Sequence, residues 1–246
     1  MPFAVEAATF LERPNRFVIH ARLHGDGSTV RAHCPNPGRM AELMIPGATV
    51  YLSRATDPAR RTPFTLRFMI HPAAGELISL NTQLPNDLFA EGLTDGFFAP
   101  FHGHRTVRRE VTVPHTGQGG HGKQGKITSR MDFLLEDAQG RPCWIEVKSV
   151  SLVEDGLALF PDAPTTRGRR HLLELADLAQ AGERAAVVFI VQRPDAISVQ
   201  PNRRTDPDFA DALTHAQSAG VEVYAYTCAI TLDAVTLEKE IPVVNG

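Results

Sequence analysis

Arg130-Met131-Asp132-Phe133-Leu134-Leu135-Glu136-Asp137-Ala138-Gln139-Gly140-Arg141-Pro142-Cys143-Trp144-Ile145-Glu146-Val147-Lys148 is the stretch whose reading decides the fold. Two β-favouring runs, Arg130–Leu135 and Trp144–Val150, flank the turn signal Asp137-Ala138-Gln139-Gly140. Residues two apart on a strand share a face. Glu146 and Lys148 therefore lie on one face, with Ile145 and Val147 on the other. On the first strand, Met131, Phe133 and Leu135 are expected to point away from Asp132. An antiparallel pairing about Gln139 sets Asp132 opposite Glu146 and Arg130 opposite Lys148, with Cβ atoms ~5 Å apart.

Two carboxylates that close repel unless something neutralises them. Mg²⁺ (or Mn²⁺) suits them: a hard ion held by one or two carboxylates plus water and phosphate oxygens. Asp132 and Glu146 are the expected metal ligands. Lys148 is placed to orient water or neutralise developing charge, and the three together are the expected catalytic residues of phosphodiester attack. A one-residue slip of register would destroy the arrangement. Glu-x-Lys alone carries little, since it also marks a solvated strand face or a surface ion pair worth under ~1 kcal/mol. Glu110, on the preceding run Val107–Val113, is an accessory acid. It either reaches the metal through water or pairs with Arg108 or Arg109.

Outward from the hairpin, the second part of the chain alternates. A helix is expected over Arg167–Ala181, with Leu172, Leu175, Ala176 and Ala179 at helical spacing. Ala185–Val191 reads as a strand buried on both faces. Asp208–Ala219 reads as a helix stopped by Gly220, and Val221–Tyr226 as another strand. Strand-helix alternation implies parallel crossovers over a sheet. Thr165 or Thr166 caps the first helix. Arg167, Arg169, Arg170 and His171 then crowd a turn where cations oppose the helix dipole. An anion bound at that end would offset the cost; otherwise these are solvated arginines tolerated at a few tenths of a kcal/mol.

The first 82 residues read as β-rich. Phe17–Leu23, Thr29–His33, Val50–Ser53, Phe64–Ile70 and Leu77–Leu80, with a brief helical segment at Met40–Met44, suit a small closed barrel. Pro85-Asn86-Asp87-Leu88 opens a helix, so the chain divides into residues 1–82 and 83–246. Arg13, Arg16 and Arg39 are the candidate nucleic-acid contacts of the first part. Phe17, Tyr51, Phe64 and Phe68 are candidate stacking aromatics, mostly core by pattern.

Composition bounds the rest. The 246 residues are 43% hydrophobic and 22% charged, with a net charge of −3, ordinary for a globular protein. Residues 1–82 hold nine basic and six acidic side chains, so the acidic excess lies beyond them. No apolar run approaches the ~20 residues of a membrane span, and no signal peptide is read at the N-terminus. Cys34, Cys143 and Cys228 are far apart and form no Cys-x-x-Cys pair, which disfavours zinc and suits a reducing, cytoplasmic setting. His102-x-His104 with His115 and His121 matches no standard metal spacing.

Several motifs together resemble the sugar fermentation stimulation protein A (SfsA) family. They are His33-Cys34-Pro35-Asn36, Gly38-Arg39-Met40, Asn81-Thr82, Pro85-Asn86, Ser129-Arg130-Met131-Asp132-Phe133, Glu146-Val147-Lys148-Ser149-Val150, Phe160-Pro161-Asp162-Ala163, Thr166-Arg167-Gly168 and His171-Leu172. The resemblance spans about Phe17 to Val243. It implies an OB-like barrel followed by a PD-(D/E)xK restriction-endonuclease-like α/β domain, and DNA binding without strong sequence preference. By motif position, Asp132, Glu146 and Lys148 match the nuclease-type triad. Pro37 departs from the family's usual Thr, and the Gly/His-rich stretch 117–125 is unusual. Two functions compete: a Mg²⁺-dependent nuclease, and a non-enzymatic DNA-binding regulator of sugar-utilisation (maltose) genes. Direct sugar sensing ranks last, because Trp144 is the only tryptophan and aromatics are few.

Overall fold

The structure is a computed structural model that describes residues 4–113 and 129–244. The stretch 117–125, His115 and His121 lie outside the described residues.

Glu6–Asn15 (β1), Val18–Leu23 (β2), Thr29–His33 (β3), Thr49–Arg54 (β4) and Phe64–Ile70 (β5) close a barrel. Antiparallel pairs run β3-β2-β1-β4-β5, and a parallel β3–β5 contact shuts the ring. Alternate residues such as Ala8, Phe10, Ile19, Ala21 and Leu66 fill it. The fifth wall is therefore Glu6–Asn15, not the expected Leu77–Leu80. Breaks in register between Phe10 and Glu12 and between Glu12 and Asn15 interrupt the period-2 signal of β1. Leu77–Ser79 (β6) lies outside the ring against β5. The segment at Met40–Met44 is a single turn, in which the Met44 N–H donates to the Met40 carbonyl at 2.9 Å.

Leu84–Thr94 (α1) opens with Pro85 and carries Asp87 in its first turn. His104–Thr112 (β7), Arg130–Asp137 (β8) and Pro142–Val150 (β9) form an antiparallel meander. Val153–Glu154 (β10) and Leu157–Phe160 (β11) lead into Thr166–Gln180 (α2) and then Arg184–Val191 (β12). Ser198–Pro201 (β13), Pro207–Ser218 (α3), Glu222–Ile230 (β14) and Val235–Ile241 (β15) complete the order. The main sheet runs β15-β14-β12-β9-β8-β7, with β9, β12 and β14 parallel. β12 is buried on both faces, as its unbroken apolar run requires. Residues of α2 and α3 join one face's core. On the other face, α1 packs together with Phe68 from the barrel. Among the described residues, no helix is long and apolar enough to cross a membrane.

The two halves are joined by polar as well as apolar contacts. Asn36 Nδ2 donates to Ser151 Oγ at 3.3 Å, Thr82 Oγ1 to the Pro35 carbonyl at 2.9 Å, and Ser79 Oγ to Gln192 Oε1 at 2.6 Å. The Asp162 carboxylate accepts from the backbone N–H groups of Met40 and Arg39. Gly38 lets it in: a Cβ there would lie 2.0 Å from Asp162 Oδ2.

Candidate active site

The hairpin pairs Phe133 with Ile145, Leu134 with Trp144 and Leu135 with Cys143, the register expected from the turn at Gln139. Phe133–Ile145 is the last pair. Beyond it β8 leaves β9, and Asp132 Oδ2 accepts the Val147 N–H at 2.8 Å, where a backbone carbonyl would otherwise stand. Asp132 Oδ1 accepts from Asn86 Nδ2 at 3.1 Å, so the start of α1 fixes the other oxygen.

The ladder thus stops one pair short of the expected Asp132–Glu146 opposition, and other expectations are corrected with it. Met131 packs with Leu134 and Trp144 on the α2 side, not with Phe133 and Leu135. Strand alternation is not carried through the break. Arg130 does not come opposite Lys148. It is exposed, 3.7 Å from Glu110. Arg108 and Arg109 turn instead to Glu136 and Asp87. Glu110 has the left-handed φ of +54°, strained for a residue with a side chain, and its exposed carboxylate joins neither Asp132 nor Glu146. Among the described residues, no group of three acid, His or Cys side chains gathers as metal ligands. The site therefore has two acids.

Glu146 and Lys148 share the α2 face of β9 and are nearly enclosed, at 3% and 9% exposure. Glu146 Oε1 receives Lys148 Nζ at 2.5 Å and His171 Nδ1 at 2.5 Å. His171 sits on α2, 1% exposed. Arg167 Nε donates to His171 Nε2 over a long 3.4 Å. With Nε2 accepting, the proton sits on Nδ1 and points at Glu146. Glu146 Oε2 is buried with no hydrogen-bond partner. The carboxylate is thus split: one oxygen is held twice and the other is left bare. Such a buried bare acceptor costs about 1–3 kcal/mol unless something binds it.

Electrostatics separates the two acids. Burial raises the Asp132 carboxyl, the nearby Glu146 charge adds to this, and it rises to about 6. Burial also works against the Glu146 charge, but Lys148 and His171 outweigh it and hold that carboxyl at about 2. At neutral pH both are ionised, and Asp132 is the disfavoured anion. Its folded pKa lies above its ordinary 3.8, so its contribution to stability is full below that value and lost as pH rises through about 6. In chelator at pH 7.5, Asp132→Asn should therefore be more stable than the native chain by about 1–2 kcal/mol, a few degrees in Tm. Asn86 can turn its amide to suit the new side chain. The gap should close as pH is lowered towards 4. Calorimetry across that range checks it, and a destabilised Asp132→Asn at pH 7.5 would contradict it.

The four residues expected to crowd the start of α2 do not form one patch. Successive helix residues are rotated by about 100°. His171 faces Glu146 and Arg167 backs it. Arg170 Nε reaches Ser129 Oγ at 2.9 Å, and Arg169 pairs with Asp208 on α3. Thr165 is the cap, accepting from Gly168 N. In the first part, Arg13 spends its guanidinium on the carbonyls of Arg16, Asn36, Gly38 and Arg39. Arg16 and Arg39 are exposed. Arg16 lines a cleft of about 390 Å³ between the halves, together with Asn36, Thr82, Lys148, Ser149 and Thr165. Sequence reasoning missed that Asn86 holds Asp132 and that His171 holds Glu146. The motifs Pro85-Asn86 and His171-Leu172 were the only signals. His102 and His104 bond the carbonyls of Gly96 and Phe101.

A five-stranded OB barrel followed by a restriction-endonuclease-like α/β domain is the class that fold and site define. The Sugar fermentation stimulation protein RE domain matches residues 83–234, and the SfsA N-terminal OB domain matches residues 11–80. The chain belongs to the sugar fermentation stimulation protein (SfsA) family. It is 46% identical over 244 residues to a sugar fermentation stimulation protein homolog of Moorella thermoacetica, covering 99% of this chain and 97% of that one. To the homolog of Geobacter sulfurreducens it is 40% identical over 246 residues, covering 100% and 99%. The solved structure of Pyrococcus furiosus SfsA in complex with Ca²⁺ matches with a TM-score of 0.82 at 31% identity, covering 98% of this chain and 96% of that one.

Proposed function

We propose that this protein is a DNA-binding phosphodiesterase that uses Mg²⁺ or Mn²⁺ at Asp132 and Glu146. The observation that carries the reading is the split carboxylate, with Glu146 Oε1 held by Lys148 and His171 and Oε2 buried without a partner. A divalent cation fits this donor set. It would take Oε2 and Asp132, relieve the acid whose charge is disfavoured, and fill its remaining positions with water and phosphate oxygens, as Mg²⁺ does with one or two carboxylates. The solved relative's complex with Ca²⁺ supports a divalent ion in this family. The chemistry such an ion supplies is an acidified water and charge neutralisation at phosphorus.

The chain's own residues do the rest. His171 keeps Oε1 turned inward, so Oε2 faces the metal position. Lys148 Nζ spends one hydrogen on Oε1 and keeps others for the attacking water or a non-bridging phosphate oxygen. Asn86 and Val147 N–H fix Asp132. Enclosure of Glu146 and Lys148 strengthens each of these interactions. Arg16, at the cleft, supplies phosphate contact.

Incubation of end-labelled DNA with Mg²⁺ or Mn²⁺ tests the reading. Cleavage by the native protein, lost in Asp132→Ala with DNA binding retained, supports it. DNA binding without cleavage of any substrate, and without metal binding, leaves the regulator reading standing instead. Binding should also weaken by roughly tenfold or more between 50 and 200 mM salt if a few phosphates are neutralised. A flat response would count against both readings.

A further inference from the structure

Phe17 stands out from the other candidate stacking aromatics. Phe64 and Phe68 are 4% and 1% exposed, whereas Phe17 is 53% exposed. Its backbone is pinned: the Phe17 N–H donates to Asn15 Oδ1 at 2.9 Å, and its carbonyl accepts from Cys34 N at 2.8 Å. Arg16 lies over its ring, with Cζ 5.7 Å from the centroid. Arg13 ties the Arg16 carbonyl to those of Asn36, Gly38 and Arg39, so the β1–β2 turn and the loop before Met40 form one rigid wall. That wall borders the cleft, since Arg16 and Lys148 both line it.

An exposed ring on a pinned backbone, with a guanidinium at its face, is a stacking platform for a base, and base–aromatic stacking is tolerant of sequence. In a duplex every base is already stacked between its neighbours and offers Phe17 no face; only an unpaired base can use it. The cleft points the same way. Its two walls are bonded to each other through Asn36–Ser151 and Thr82–Pro35, and Lys148 lines it between them. We infer that the protein binds single-stranded DNA, one base stacked on Phe17 and the adjoining backbone passing Arg16 towards Lys148. This rests on the proposed phosphodiesterase reading and names its substrate class.

The test is fluorescence anisotropy in chelator, so that binding is read apart from cleavage. The probes are a labelled 15-nucleotide oligomer and its blunt duplex, against native protein, Phe17→Ala and Phe17→Trp. The expected result is preference for the single strand by about tenfold or more, lost by about tenfold in Phe17→Ala, kept in Phe17→Trp, with duplex binding unchanged. A 2-aminopurine in the oligomer should be quenched by native protein and not by Phe17→Ala. Equal affinity for both forms, unaltered by Phe17→Ala, overturns this inference alone. Self-association that Phe17→Ala abolishes, with DNA binding intact, also overturns it. No binding to either form overturns the proposed function and this inference with it.

Discussion

Glu146→Gln is expected to slow metal-dependent cleavage by at least about 1,000-fold, roughly 4 kcal/mol of transition-state stabilisation. The substitution is chosen for its shape. The amide oxygen can stay where Oε1 stands and keep accepting from Lys148 Nζ and His171 Nδ1. The amide nitrogen then replaces Oε2, the bare oxygen, and cannot ligate a cation. DNA affinity in chelator should stay within about twofold, because the proposed phosphate contact, Arg16, is not Glu146. Lys148 is left beside a neutral partner while nearly buried, and stability falls by up to about 3–5 kcal/mol. Single-turnover rates should therefore be measured well below the transition, with circular dichroism to verify folding. A residual rate within tenfold of native would remove Glu146 from the chemistry.

The second large effect concerns the joint between the halves. Gly38→Ala should destabilise the protein by about 3 kcal/mol, combining overpacking with loss of charge-assisted hydrogen bonds. The added Cβ would meet Asp162 Oδ2 at 2.0 Å and the carboxyl carbon at 2.7 Å. Asp162 must then retreat from the Met40 and Arg39 N–H groups it serves. That retreat is costly, since burial already raises the Asp162 carboxyl and those N–H groups offset it. For a chain of this size the loss corresponds to about 6–12 °C in Tm. Calorimetry reads it directly, and a shift under 1 °C would show that the loop yields.

Much of the fold and of the site is legible in the sequence. The turn at Gln139 and the alternation of Phe133 and Leu135 set a register that the ladder keeps as far as Phe133–Ile145, one pair short of the expected Asp132–Glu146. The unbroken apolar run of β12 and the two helices gave the parallel half of the sheet. What alternation could not supply was its own interruption. The strands part just after Phe133, where Asp132 takes the Val147 N–H; Met131 and Arg130 therefore leave their expected positions. β1 was illegible for the same reason, since two register breaks scatter its inward residues. His171 read as one of four cationic neighbours, because only the rotation of α2 against β9 shows that it turns in towards Glu146 while Arg169 turns to Asp208. Phe17 shared one reading with Tyr51, Phe64 and Phe68 as a candidate stacking aromatic, and only the fold shows it exposed while Phe64 and Phe68 are buried.

Asp132 and the free oxygen of Glu146 are proposed to make one divalent-cation site beside the cleft. Titration of Mn²⁺ followed by electron paramagnetic resonance tests it most directly, on native protein and on Asp132→Asn and Glu146→Gln variants that remain folded. One bound Mn²⁺ per native chain is expected, displaced by Mg²⁺, and none at the same concentration in either variant. Binding that survives both substitutions, or native protein that binds none in the millimolar range, would contradict it.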